Sequence, residues 1–171
     1  DPHAPTHGLD PEELDAIGRS VGIGAVKYAD LSNDLVRDYV FDLDRMVAFE
    51  GDTGPYLQYA HARIRSIIRK AGDDGAGATF QIDQPVERQL VLALLRWNGV
   101  VHATAETLEP HRIAAYARSL AEAFNAFYQA CPVLKADTDD LRRSRLRLAD
   151  LTGRVLCDAL NLLGIEAPDR M

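Results

Sequence analysis

Apolar residues recur every three or four positions along most of this sequence, and this spacing constrains the fold more than any other feature. One stripe consists of Ile113, Tyr116, Ala117, Leu120, Phe124, Phe127 and Tyr128. Side chains at these intervals lie on one face of an α-helix. Pro110 suits the first turn of that helix and Pro132 lies just beyond its other end, so both helix ends are predicted as well.

Three other segments show the same spacing between residues that favour helix ends. One helix is predicted to begin at Pro85, with an apolar face of Val86, Leu90, Leu94, Trp97 and Val101. Another is predicted over Asp52–Gly72, entered through Thr53, Gly54 and Pro55. The last runs from about Thr138 to Leu163, before Gly164, and its predicted inner face is Leu148, Leu151, Val155, Ala159, Leu162 and Leu163.

The N-terminal third predicts shorter elements. Pro11–Arg19 and Ala25–Leu31 indicate short helices separated by Gly22 and Gly24, and Tyr39–Phe41 indicates a short extended piece. No series of strands, internal repeat or low-complexity tract is present in the sequence. The sequence therefore predicts an all-α fold, a helical bundle of about four longer helices preceded by short helices.

Composition limits the classes of function. The chain has 171 residues and a formal net charge of −7, which suits one domain and argues against indiscriminate binding of polyanions without excluding a local basic patch. No apolar run reaches the roughly 20 residues of a membrane span. Cys131 and Cys157 are far apart and outside metal or redox spacing, so we expect two free thiols in a reducing cytosol.

The sequence lacks the motifs of self-sufficient enzymes. It contains no Gly-x-Gly-x-x-Gly, no P-loop and no Gly-x-Ser-x-Gly. The neighbouring acids Asp42 and Asp44, and likewise Asp139 and Asp140, are interpreted as helix-end residues rather than as acid–base pairs. We therefore predict no catalytic residue, no cofactor-binding residue and no metal site in this chain.

The composition of the helix predicted after Gly54 admits two interpretations. Residues 55–70 contain no acid, and their bases include Arg63, Arg65, Arg69 and Lys70. Tyr56, Tyr59 and Arg63 fall at i, i+3 and i+7, on one line along the helix. Aromatic rings beside guanidinium groups suit unpaired bases and phosphates. The alternative interpretation is a solvated basic face paired with acids of neighbouring helices, with both tyrosines in the core.

A second cationic cluster lies in the last predicted helix and consists of Arg142, Arg143, Arg145, Arg147 and Arg154. Asp139, Asp140 and Asp150 dilute it, so we interpret it as a surface lattice of salt bridges, which contribute little stability.

Two groups of motifs follow one another along the chain. The first group is Gly24–Ser32, Asp38–Asp42 and Gly54–Arg63. The second comprises Phe127-Tyr128, Cys131–Leu134, Ser144–Leu146, Leu162–Ile165 and Pro168–Met171. The first group resembles arginyl-tRNA synthetases, and the second resembles the C-terminal anticodon-binding domain of that family. The motifs follow the family's order from about Leu14 to the end, which makes the resemblance specific.

The resemblance implies a chain in two parts that follows a catalytic domain. Residues 1–50 would form a stem-like segment and residues 51–171 the helical anticodon-binding domain. The family's nucleotide-binding domain and its signature motifs do not occur here. ATP would therefore bind in the parent enzyme, and this chain would not be catalytic alone. The implied partners are the anticodon stem-loop of arginine tRNA and the parent's catalytic domain, in the cytoplasm, with neither membrane nor DNA.

The resemblance also implies which residues face RNA. The anticodon-loop surface of the family corresponds here to Tyr59, Arg63, Arg69, Tyr128 and Met171. Asp52 stands where the family usually has Asn before Thr-Gly-Pro, which adds negative charge next to the expected RNA surface. Pro132 stands where eukaryotic members place a Trp.

The main hypothesis is a tRNA-binding module that seats arginine tRNA for a catalytic domain outside this chain. A second hypothesis is a free-standing paralogue that binds tRNA or a protein partner in another pathway, and the start Asp1–Gly8 fits either of these. A third is a structural helical bundle that docks other proteins, which buried tyrosines and an exposed apolar patch would favour.

Overall fold

The computed structural model describes residues 10–171, and every regular element in that part of the chain is an α-helix. The helices are α1 (Pro11–Leu31), α2 (Leu43–Met46), α3 (Gly54–Ala71), α4 (Pro85–Leu95), α5 (Trp97–Thr107), α6 (His111–Ala130) and α7 (Asp139–Leu162). The predicted all-α class is confirmed. The start Asp1–Gly8 lies outside the described residues, and the boundary at residue 50 stays a prediction.

The ends of α3 and α7 follow the predicted capping residues. The Thr53 hydroxyl accepts a hydrogen bond from the Tyr56 N–H at 3.2 Å, and the Thr138 hydroxyl accepts one from the Leu141 N–H at 3.2 Å. At its other end α3 stops at Gly72, whose φ of 62° is a left-handed conformation that glycine adopts without strain. Thr53 and Gly72 therefore determine where α3, the helix that carries the basic residues, begins and ends.

α1 is one continuous helix, so the prediction of two short helices separated by Gly22 and Gly24 is wrong. Gly24 instead serves the packing of α1 on α3. A Cβ at Gly54 would lie 2.5 Å from the Gly24 carbonyl oxygen, and a Cβ at Gly24 would lie 2.9 Å from the Gln58 amide. The close approach of the two helices compensates for the low helix propensity of glycine.

The single helix predicted from Pro85 is divided into α4 and α5 at Arg96. The Tyr116 hydroxyl of α6 donates to the Ala93 carbonyl oxygen at 3.1 Å. The Arg96 N–H donates to the same oxygen at 3.2 Å, in a tighter turn than the α-helical pattern. A side chain from another helix thus interrupts the regular ladder, which helical spacing alone does not reveal.

The hydrophobic core lies where α3, α6 and α7 meet, and α1 and α4 pack around it. The predicted apolar faces of α6 and α7 supply much of it, including the buried residues Leu120, Phe124, Phe127, Leu148, Val155 and Ala159, and Leu57 and Ile64 of α3 are buried with them. Leu162, predicted on the inner face of α7, is 57% exposed because α7 ends there. The segment Tyr39–Phe41 lies in irregular structure with exposed side chains.

Arginines of α7 hold the loop that follows α3. Arg142 and Arg143 lie 3.3 Å and 3.5 Å from the Asp73 carboxylate, and Arg154 lies 3.0 Å from Asp150. These contacts confirm the predicted salt-bridge lattice for Arg142, Arg143 and Arg154, whereas Arg147 donates to the Ala78 carbonyl oxygen and lies over the Phe80 ring. A Cβ at Gly75 would lie 2.1 Å from the Arg143 carbonyl oxygen, so the loop backbone packs directly on α7.

Arg145 also departs from the predicted lattice, because it is buried rather than part of the surface. Its Nε donates to the buried Glu87 carboxylate at 2.8 Å, and its guanidinium also donates to the Pro132 carbonyl oxygen at 3.0 Å. The backbone N–H groups of Asp83 and Gln84 donate to the other carboxylate oxygen of Glu87, both at 2.9 Å. This buried ion pair joins the start of α4 to α7.

Candidate nucleic-acid interface

Helix α3 carries two polar lines side by side, each at the three- and four-residue spacing of one helix face. The tail-facing line consists of Gln58, His61, Arg65 and Arg69, whose side chains contact the C-terminal tail Ile165–Met171. The open line consists of Tyr59, Arg63, Ser66 and Lys70, which border a surface depression. One helix therefore both anchors the chain end and presents a basic surface.

The depression lies between α3, the end of α6 and the C-terminal tail, and its volume is about 670 Å³. It brings together all the residues predicted to face RNA, namely Tyr59, Arg63, Arg69, Tyr128 and Met171. These residues come from three separate parts of the chain. Their convergence on one open concave surface is the geometry that a docking nucleobase needs.

Tyr59 presents its ring to solvent, with 46% of the residue exposed. Phe49 contacts it edge to face, with ring centroids 6.4 Å apart and an interplanar angle of 80°. Tyr56 differs, because its half-buried hydroxyl accepts a hydrogen bond from Asn125 of α6 at 2.8 Å. Helical spacing predicted that Tyr56 lies on one line with Tyr59 and Arg63. That prediction is wrong for Tyr56, which contributes to the packing of α3 against α6.

Arg63 and Tyr128 both line the depression and contact each other. The guanidinium carbon of Arg63 lies 4.7 Å from the Tyr128 ring centroid. Tyr128 in turn stacks on the buried Phe124, with centroids 6.0 Å apart and planes inclined by 20°. Within residues 10–171 no carboxylate lies in ion-pair distance of Arg63, so its charge is available to a ligand.

The other bases near the depression are neutralised to different degrees. Arg65 pairs with Asp150 at 3.4 Å and with Asp169 at 3.3 Å, so the alternative interpretation of a paired basic face holds for this residue. Arg69 donates instead to the Asp169 carbonyl oxygen at 2.9 Å. A carbonyl group carries no net charge, so Arg69 keeps its positive charge while its side chain is held in place.

Asp52 adds less negative charge to this surface than the sequence predicted. Its carboxylate accepts a hydrogen bond from the Tyr28 hydroxyl at 2.7 Å and lies 3.0 Å from Arg118. Burial, followed by the hydrogen bond to Asp52, raises the pKa of Tyr28 far above its usual value. Asp52 thus joins α1 to α6, and Arg118 compensates its charge.

Sequence reasoning left six lining residues out of the site, namely Ala62, Ser66, Ile67, Lys70, Leu134 and Arg170. Lys70 belongs to the acid-free basic segment, and its spacing from Tyr59 and Arg63 was the signal that could have placed it on the open line. Leu134 and Arg170 lie in loop and tail segments, where no periodicity predicts the direction of a side chain. Arg170 also lies 3.8 Å from Glu13 of α1.

Other kinds of site find little support in the described part of the chain. Residues 10–171 contain no group of three or more His, Cys, Asp or Glu side chains arranged to hold a metal ion. Among these residues no helix has the length and apolarity to cross a membrane. Cys131 and Cys157 are free thiols, as predicted.

Comparisons with known proteins identify relatives of this chain. Residues 57–171 match the family model of the DALR anticodon binding domain. The chain is 56% identical over 165 residues to an arginine–tRNA ligase of Thermobifida fusca, covering 95% of this chain and 29% of that protein. It is 54% identical over 166 residues to an arginine–tRNA ligase of Frankia casuarinae, covering 96% of this chain and 28% of that protein.

Solved structures show the same fold. An arginyl-tRNA synthetase of Thermus thermophilus superposes with a TM-score of 0.84 at 39% identity, over 97% of this chain and 29% of the other. Arginyl-tRNA synthetase of Plasmodium falciparum superposes with a TM-score of 0.84 at 29% identity, over 92% of this chain and 28% of the other. The chain therefore spans less than a third of the length of these relatives.

Proposed function

Because the chain belongs to the DALR anticodon-binding domain family, we propose that the depression beside α3 binds the anticodon loop of arginine tRNA. The observation that carries the proposal is the convergence of Tyr59, Arg63, Tyr128 and Met171 on one open surface. The module would seat the tRNA so that its acceptor end reaches the catalytic domain of an arginine–tRNA ligase.

The chemistry of the depression suits a single-stranded RNA loop. An exposed tyrosine and a guanidinium plane both stack with unpaired bases, and each such contact contributes about 1–3 kcal/mol. Arg63, Arg69 and Lys70 provide charge for the phosphates. The overall charge of −7 repels RNA elsewhere on the molecule, which favours binding at this local patch.

The parent enzyme would supply the remaining activity. In this proposal ATP and arginine bind to its catalytic domain, which is a partner of this chain, and aminoacylation takes place in the cytoplasm. The side chains of the depression offer stacking surfaces and cations rather than a nucleophile held by a base, so their role is to bind and orient tRNA. Neither DNA nor a membrane is a partner in this proposal.

Titration with RNA at several salt concentrations tests the proposal. We expect the anticodon stem-loop of arginine tRNA to bind more tightly than a non-cognate stem-loop. Its affinity should fall with salt at a log–log slope of about −2, because Arg63, Arg69 and Lys70 neutralise phosphates of a single-stranded loop. No binding at low salt, or an affinity that does not change with salt, would contradict the proposal.

The two other hypotheses differ in what they require. A docking bundle was expected to bury its tyrosines, whereas Tyr59 is exposed on the open line, so this alternative is not favoured. A free-standing paralogue would lack a catalytic domain encoded in frame with it. Sequencing the gene upstream of the codon for Asp1 distinguishes that case, because an in-frame nucleotide-binding domain there excludes it.

A further inference from the structure

The C-terminal tail Ile165–Met171 reaches the depression with little backbone support of its own. Its first residue is anchored, because the Ile165 N–H donates to the Leu160 carbonyl oxygen at 2.9 Å and the Ile165 side chain is buried. From Glu166 onward, within the described residues, no backbone group of the tail bonds to another backbone group. Side chains must therefore set the path of the chain end.

Those side chains belong to the tail-facing line of α3. The Gln58 amide donates to the Glu166 carbonyl oxygen at 2.8 Å, and His61 Nδ1 lies 3.0 Å from the Pro168 carbonyl oxygen. Further along, Arg69 donates to the Asp169 carbonyl oxygen at 2.9 Å. The tail thus runs alongside α3 in the same direction. The carbonyl groups of Glu166, Pro168 and Asp169 contact Gln58, His61 and Arg69 in that order.

Gln58 and His61 are too deeply buried to contact a ligand themselves, with 0% and 3% of each residue exposed. A carbonyl oxygen only accepts hydrogen bonds, so the contact with Pro168 requires a proton on Nδ1 of His61. The Gln58 amide group also donates to Ser20 of α1, at 3.2 Å to its carbonyl oxygen. Both residues are therefore fixed donors aimed at the tail.

We propose that Gln58 and His61 are positioning residues for RNA binding, which hold the tail so that the Met171 side chain borders the depression. This inference rests on the proposed function, because it gives the tail a role in recognition of the anticodon loop. It predicts energetic coupling between His61 and Met171, which belong to different parts of the chain. Substitution of His61 should change the RNA affinity because it changes the position of Met171.

A double-mutant cycle with the anticodon stem-loop of arginine tRNA tests this coupling. We expect His61→Leu and Met171→Ala each to weaken binding about fivefold, in the range set by one hydrogen bond or one small apolar contact. The double variant should be weakened by about the same factor rather than by the product. His61→Asn keeps a donor near the Nδ1 position and should bind within about twofold of the wild type.

His102→Leu is the matched control, because it makes the same substitution at an exposed histidine of α5. We expect it to leave the affinity unchanged. If His61→Leu and Met171→Ala weaken binding multiplicatively, or if His61→Leu binds as the wild type does, the positioning role is overturned.

Release of Met171 by carboxypeptidase Y gives a second measurement that needs no RNA. We expect His61→Leu to release Met171 several times faster than the wild type and His102→Leu to release it at the wild-type rate. Should His61→Leu fail to fold, Asp169→Ala takes its place, since its side chain is 63% exposed and its loss frees the tail from Arg65. Wild-type release rates in every folded variant would overturn the inference.

The two measurements separate this inference from the proposed function. If the wild type binds no RNA, the proposed function fails, while carboxypeptidase release still decides whether α3 holds the tail. If the wild type binds RNA and Arg63→Ala weakens that binding, the function stands. A multiplicative His61 and Met171 cycle would then refute the positioning role alone.

Discussion

The guanidinium carbon of Arg63 lies 4.7 Å from the centre of the Tyr128 ring, so a residue of α3 is held in place by a residue of α6. A cation–π contact at an exposed site is worth about 0.5–1 kcal/mol. Its larger consequence here is geometric. One face of the guanidinium group is occupied by protein, and this orients the group at the depression.

We predict that Arg63→Ala weakens binding of the arginine tRNA anticodon stem-loop about tenfold, because a base-stacking plane and a phosphate partner are both lost. Thermal stability should change little, since only a partly exposed cation–π contact is removed. Fluorescence titration and thermal denaturation measure the two effects. The salt slope of binding should also become shallower by about 0.7, the contribution of one phosphate contact.

Arg112→Ala is the control for that prediction. Like Arg63→Ala, it removes one positive charge, in this case from α6, the helix that carries Tyr128. At a rise of 1.5 Å per residue, Arg112 lies about 24 Å from Tyr128 along that helix. Arg112 pairs with Glu109 at 2.5 Å, outside the depression. An equal loss of affinity in both variants would show that binding depends on net charge rather than on the Arg63 site.

Tyr59→Ala should weaken RNA binding by about 1–3 kcal/mol, whereas Tyr59→Phe should retain most of the affinity because stacking needs the ring and not the hydroxyl. Tyr56→Phe is the matched comparison, because it removes the hydroxyl that accepts a hydrogen bond from Asn125. That variant should lose about 1 kcal/mol of stability and keep its RNA affinity. Equal affinities of the wild type and Tyr59→Ala would remove Tyr59 from the site.

Glu87→Leu should lower the free energy of unfolding by about 3–5 kcal/mol, because it leaves the buried Arg145 without its carboxylate partner. The double variant Glu87→Leu/Arg145→Met should lose less than the single variant, since no buried charge is then left unpaired. Urea denaturation of both variants checks this. A double variant as unstable as the sum of the two single changes would contradict the account.

The same pair predicts a loss of stability in acid. Burial by itself raises the pKa of Glu87, but the N–H of Gln84 and the Arg145 guanidinium outweigh it, so the pKa lies below the usual value of 4.5. As the pH falls below about 4.5, the unfolded chain binds a proton that folded Glu87 still excludes, and stability declines. Glu87→Gln should flatten this part of the stability–pH curve.

His61 predicts a separate effect at mildly acidic pH. Burial lowers its pKa below 6.5, in the same direction as Arg65, while the Pro168 carbonyl and Asp169 act in the opposite direction. Below about pH 6.5 the unfolded chain therefore binds a proton that the folded chain does not. Stability should fall as the pH decreases from 7.5, by at most about 1.4 kcal/mol per pH unit from this group.

His61→Asn isolates this contribution, because the other histidines titrate in both proteins. Urea denaturation between pH 7.5 and 5.5 should show a smaller loss of stability for the variant than for the wild type. Identical pH dependence of the two proteins would mean that His61 takes up a proton as readily in the folded chain as in the unfolded one.

The sequence by itself determined the helical fold class and the ends of α3 and α7. These features depend on neighbours within one or two turns: apolar spacing selects the helix, Thr53 and Thr138 cap its start, and Gly72 permits the left-handed turn at its end. The motifs of the family resemblance also predicted five of the residues that line the depression.

Tertiary structure decided which of several locally equivalent residues line the open depression. Arg63 and Arg65 lie in the same basic helix, yet Asp150 and Asp169 neutralise only Arg65. Tyr56 and Tyr59 differ likewise, because Asn125 of α6 contacts only Tyr56. Pairing and burial depend on partners that are distant in the chain, so helical periodicity gives the line on which a residue lies but not what lies opposite it.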